Sequence, residues 1–143
     1  MNADPDLRLD GLSIWVDGRE FPGASDDFDS NWLRLRVLME APGATVACQG
    51  AVLMTTDFRR FRDELAAMNA TLAGEATLEG YEPALKARLT MKGLGQVDGE
   101  VEITPDQLSQ YHRFRLDLDQ SYLPALIAGC DAILARFPVV GAG

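Results

Sequence analysis

ALKARLTMKGLGQVDGEVEIT, residues 84–104, alternates apolar and polar positions on either side of Gly93-Leu94-Gly95. A period of two puts one set of side chains into a core and the other into water, the pattern of a strand with one buried face. The two arms therefore read as an antiparallel hairpin. One register sets Leu89 against Val101 and Ala87 against Ile103 on the apolar face. It also sets Lys92 beside Asp98 and Arg88 beside Glu102 on the polar face, cross-strand charge pairs that each contribute on the order of a few tenths of a kcal/mol. The glycines sit between strands rather than ahead of a helix, so they supply a turn and not a phosphate cradle.

The same period extends outward from the hairpin. GEATLE (74–79) precedes it, and in YHRFRLDLD (111–119) Phe114, Leu116 and Leu118 continue the apolar face. Upstream, LRLRVLME (33–40) alternates with Leu38 as its one exception. Pro42 and Gly43 turn that strand into TVACQGAVLM (45–54), with a glycine irregularity at Gly50. LSIWV (12–16) and REF (19–21) flank Asp17-Gly18, a pair suited to a tight hairpin turn, and Asp10-Gly11 offers a second turn.

Two segments change to the helical period. Thr55 or Thr56 supplies a cap, Asp57 complements the first-turn dipole, and Phe58, Phe61, Leu65, Met68 and Leu72 recur at intervals of three and four. This predicts a helix over about 56–70. A second is predicted over about 120–137, opened by Asp119 or Ser121, tolerant of Pro124 in its first turn and stopped by Pro138. Its apolar face is Leu123, Leu126, Ile127, Cys130, Ile133, Leu134 and Phe137. The expected fold is α+β, a single domain over 1–143 whose antiparallel sheet is covered by two amphipathic helices, with 1–6 and 139–143 flexible.

Composition narrows the function. At 143 residues a domain buries roughly 68–70% of its unfolded surface without staples. Cys48 and Cys130 show neither zinc nor disulfide-framework spacing and read as small buried hydrophobes. No secretory leader or membrane span is evident, which makes the cytoplasm the expected compartment. A balance of 22 acids against 13 Lys and Arg, net charge -9, disfavours phosphate tracking and favours basic partners.

DDFDSNWLRL (26–35) concentrates that acidity and leads into a strand. Asp27, Asp29 and Asn31 match the first, third and fifth positions of a calcium loop, but the sixth is Trp32 instead of glycine and the twelfth is Leu38 instead of glutamate. The metal reading fails. Catalysis is also poorly provided for, because His112 is the single histidine and lacks a neighbouring nucleophile or carboxylate at a telling spacing. No cofactor motif is present. The remaining reading is a docking patch in which Asp26, Asp27 and Asp29 steer a basic partner while Asn31 and Trp32 anchor it. Both anchors could equally be scaffold that fixes the start of the strand.

Several segments taken in order, FDSNWLRL, LAGEATLEG, LKARLTMKGLGQVDGEVEI and LDQSYLPALI, resemble the WapI family of immunity proteins from about residue 12 to 138. The resemblance implies a small cytoplasmic bacterial protein with no enzymatic activity that binds and blocks a polymorphic toxin domain. A basic nuclease would suit an acidic inhibitor. The acidic balance argues against a nucleic-acid partner and the lack of a long apolar run against a membrane one, and the resemblance does not specify contact residues. The alternative is a small-ligand module with an apolar pocket between sheet and helices.

Overall fold

The computed structural model describes residues 4–141. The fold is α+β, with antiparallel strands and two helices in one domain, and the strands divide into two four-stranded sheets. The first sheet contains β1 (Leu7–Leu9), β2 (Leu12–Arg19), β3 (Trp32–Ala41) and β4 (Ala44–Met54) in sequential order. Helix α1 (Thr55–Thr71) leads to the second sheet, β5 (Glu75–Glu79), β6 (Leu85–Met91), β7 (Gln96–Ile103) and β8 (Arg113–Asp119). Helix α2 (Leu123–Arg136) closes the chain, packing on α1 and β1, while α1 also packs on β5.

The 84–104 hairpin forms, but its register lies two residues from the expected one. Leu85 pairs with Ile103, Ala87 with Val101, Leu89 with Gly99 and Arg88 with Glu100. The turn centres on Leu94, held at φ 62°, and the Lys92 N–H donates to the Gln96 carbonyl at 2.6 Å. A slip of two preserves every face, so the hydrophobic pattern alone does not exclude it. Packing does. A Cβ on Gly99 would lie 3.0 Å from the Leu116 Cβ, 3.1 Å from a Leu118 methyl and 3.3 Å from a Leu89 methyl. The large leucines of both neighbouring strands therefore need the glycine between them.

Asp17-Gly18 is a bulge inside β2 rather than a turn. Val16 pairs with Leu35 and Gly18 with Arg34, leaving Asp17 as the extra residue, and its carboxylate meets Arg36 at 3.0 Å. Asp10-Gly11 makes the actual hairpin turn, closed by the Leu9–Leu12 pair, with Asp10 at φ 50°. Gly50, at φ 134°, lies near a second irregularity, where β3 and β4 shift register beyond Leu33.

Both helices form where expected, with different end chemistry. The α1 cap is Asp57, whose Oδ2 accepts the Met54 N–H at 2.8 Å, while the Thr55 hydroxyl is used elsewhere. Phe58, Phe61, Leu65 and Met68 are buried, and each such large side chain contributes about 1.5–3 kcal/mol before entropy. Leu72 does not belong to that stripe. It is exposed, takes the left-handed cap conformation at φ 53° and bonds through its N–H to the Met68 carbonyl. Before α2 a 3₁₀ turn, Gln120–Tyr122, is capped by Asp119, which accepts the Ser121 N–H at 2.8 Å. Pro124 lies in the first turn of α2. Side chains from both sheets and both helices join one core.

Of the end segments expected to be flexible, residues 1–3 and 142–143 lie outside the described residues. Within the described part, Asp6 accepts the Val16 N–H at 2.7 Å and meets Arg136 at 2.9 Å, and Val140 bonds to Asn31.

Candidate partner-binding surface

The acidic loop between β2 and β3 is ordered by its own residues. Asp26 Oδ1 accepts the N–H groups of Phe28 at 3.0 Å and Asp29 at 2.6 Å, capping the 3₁₀ turn Asp29–Asn31. That bond pattern is the local reason for an aspartate at the start of DDFDSN. Asp26, Asp27 and Asp29 are exposed, and among the described residues none of the three forms an ion pair.

Asn31 plays a different part. It is fully buried, and its side chain is fully engaged. Nδ2 donates to the carbonyls of Asp27 at 2.7 Å and Val140 at 3.0 Å, while Oδ1 accepts from the Thr55 hydroxyl at 2.7 Å and the Val140 N–H at 2.8 Å. Arg19 adds a second tie between the same segments by donating to the carbonyls of Ser30 and Pro138, each at 2.6 Å. Of the two roles open to Asn31, this geometry favours scaffold. It fixes the loop, the start of α1 and the chain after α2 to one another.

Trp32 is 7% exposed and forms the floor of an aromatic cluster. Phe28 meets it edge-on at 5.9 Å, and Tyr81, from the β5–β6 loop, lies 5.7 Å from Phe28 and 6.4 Å from Trp32. Phe28 is 48% and Tyr81 76% exposed, so these two rings present the apolar surface beside the aspartates. Sequence reasoning passed over both. The signal for Phe28 was an aromatic residue inside an otherwise polar loop; Tyr81 is distant in sequence and only the fold brings it there. Gly80 allows the approach, because a Cβ on it would stand 2.5 Å from Asp57 Oδ2.

The single histidine sits beside an amide. His112 Nε2 lies 3.0 Å from Gln110 Oε1. Among the described residues no group of three or more His, Cys, Asp or Glu is placed to hold a metal ion, and no helix is long and apolar enough to cross a membrane. Burial pushes the Cys48 thiol up to about 11 and the Cys130 thiol up to about 12, which keeps both protonated at neutral pH. The contact between the helices and the sheets is filled by side chains such as Phe58, Phe61, Leu65 and Leu126.

Comparison with known proteins supplies what this geometry cannot. Two plant structures are among the solved chains to which this one is similar. WHY1 from Arabidopsis thaliana is 9% identical with a TM-score of 0.49, covering 91% of this chain and 84% of its own. WHY3 from Arabidopsis thaliana is 12% identical with a TM-score of 0.44, covering 88% and 81%. No curated protein sequence matches. The immunity protein WapI-like family matches residues 6–138, nearly the whole chain including the acidic loop, both sheets and both helices, and the chain belongs to that family.

Proposed function

We propose that this chain neutralises a bacterial polymorphic toxin domain by binding it, without enzymatic activity of its own, in the cytoplasm. Membership of the immunity family carries the reading. The toxin is proposed to be a basic domain such as a nuclease, and the acidic loop with Asp26, Asp27 and Asp29 part of the contact. Two observations support this. The chain carries a net charge of -9, and these three carboxylates are exposed on a loop whose backbone is held in place by Asp26 and Asn31. A pre-ordered acidic surface accelerates association with a basic cleft and makes it salt-dependent. Trp32 supports the rings above it, and Asn31 holds the loop.

The test is co-expression with candidate toxin domains from the same organism, scored by growth, followed by binding at low and high salt. Protection is expected, with an affinity that falls as salt rises and a weaker salt dependence after changing Asp26, Asp27 and Asp29 together to lysine. Unchanged binding in that variant removes the acidic loop from the interface. Failure to protect against every such domain removes the immunity reading.

A further inference from the structure

A hollow of about 370 Å³ opens at one end of the second sheet, between the β5–β6 loop and the β7–β8 loop. Tyr81 and Tyr111 line it, 76% and 67% exposed, together with Glu79, Glu82 and Glu102. Among the described residues Lys86 is the one cation in its wall, already placed 3.5 Å from Glu79. We propose that this hollow receives a lysine or arginine side chain from a basic protein partner. The proposal rests on the immunity reading for the partner's class and specifies the element of that partner that is recognised.

Three features carry it. Both rings are held before any partner arrives: Tyr81 rests against Phe28 and Trp32, and the Tyr111 hydroxyl donates to Glu102 Oε1 at 2.6 Å. Pre-set aromatic faces attract cations through the ring quadrupole, and they lose little conformational freedom on binding. The charge is complementary in sign, since the three carboxylates outnumber Lys86 and Arg113, the cation that lies beside Tyr111. Glu82 forms no ion pair or hydrogen bond among the described residues, and this leaves a carboxylate available to an incoming ammonium or guanidinium. The site is also continuous with the acidic loop, because Tyr81 belongs both to this hollow and to the ring cluster with Phe28. A basic segment lying across the loop would therefore reach the hollow. The same carboxylates repel phosphate, which makes a nucleic-acid occupant unfavourable.

The experiment uses the full chain and acetylated tetra-arginine amide as probe, followed by amide chemical shifts at low salt. Shifts concentrated in residues 79–86 and 102–111 are expected. Tyr81→Ala with Tyr111→Ala should weaken the peptide at least tenfold. Asp98→Asn with Asp117→Asn, which removes two charges elsewhere on that sheet, should change it less than twofold. Both tyrosines are largely exposed, so the double variant is expected to fold, and its thermal melt checks this. Shifts scattered over all acidic surfaces, or equal losses in the two double variants, would show attraction to bulk charge and overturn the proposal. If a toxin domain is bound and Tyr81→Ala with Tyr111→Ala leaves its affinity unchanged, the hollow is not a contact although the immunity reading survives. Peptide binding at the hollow with no toxin recognised would sink the immunity reading and leave the hollow as a site for cationic side chains.

Discussion

Asn31 Oδ1 accepts the Thr55 hydroxyl at 2.7 Å, joining the last residue of the acidic loop's 3₁₀ turn to the first residue of α1. The same oxygen takes the Val140 N–H, and Nδ2 reaches Asp27 and Val140. One amide thus uses all its hydrogen-bonding capacity on three segments that are remote in sequence. Phe28 and the exposed carboxylates of the loop are thus held by a residue that is itself fully buried.

Replacing Asn31 with alanine should therefore be costly in stability. Four bonds are lost, and the Val140 N–H is left without its partner in a part-buried setting. A net worth near 1 kcal/mol per bond, with the added cost of orphaned groups, gives about 3–5 kcal/mol. Urea unfolding measures it. A loss below about 1 kcal/mol would mean that water replaces the amide and the hub is not structural.

Gly80→Ala tests the contact that lets Tyr81 approach. The new Cβ would lie 2.5 Å from Asp57 Oδ2 and 3.4 Å from a Leu53 methyl, so either the β5–β6 loop or the Asp57 carboxylate must move. Displacing the carboxylate breaks the α1 cap at Met54. The expected cost is about 1–3 kcal/mol, together with faster amide exchange at Met54. Wild-type exchange at that amide would show that the loop, and not the cap, gives way.

Asp57 also gives the stability a pH signature. Burial raises its pKa above the ordinary 3.8, against the opposing effect of the Met54 N–H and of Arg60. The native state then holds this proton more tightly than the unfolded chain does. Its contribution to stability is fully present below 3.8 and is lost as pH rises through the native value. Asp57→Asn removes that dependence while keeping an acceptor for Met54. The difference in unfolding free energy between variant and wild type should move in the variant's favour as pH rises from 3.8. A flat difference would rule out a raised native pKa. Asp106 and Asp119, lowered by bonds to Ser109 and Ser121, act in the opposite sense and cancel in the comparison.

The period-two segments and the two apolar helical stripes made the α+β class legible, because burying one face leaves a direct trace in sequence. Register and local chemistry were less so. A slip of two in the 84–104 hairpin keeps all faces, and the observed pairing goes with the turn closed by Lys92 and Gln96 and with the crowding of Leu89, Leu116 and Leu118 over Gly99. Asp17-Gly18 carries the same dipeptide signal as Asp10-Gly11, yet it sits in a bulge because β2 continues to pair with β3 beyond it. The split into two sheets depends on where α1 packs, which no single segment encodes. At the candidate surface the aspartates were visible as a cluster. Tyr81, about fifty residues further along the chain, becomes their neighbour only through the fold.

The two thiols should differ in how they react. Burial raises Cys48 to about 11 from an ordinary 9.0, which lowers its thiolate fraction at pH 8 by roughly a hundredfold. Cys48 is half-buried on β4, so a small disulfide reagent still reaches it, and its reaction should be slower than that of a free thiol by roughly tenfold, because the scarcer thiolate is the more nucleophilic one. Cys130, raised to about 12, is fully buried on α2 within the core. It should react only when that helix opens, at a rate that rises with urea alongside unfolding. A thiol titration in buffer is therefore expected to show one slow equivalent and one delayed equivalent. In denaturant both should be fast. Two equal rates in buffer would mean that α2 leaves the core far more often than its packing against α1 and β1 allows.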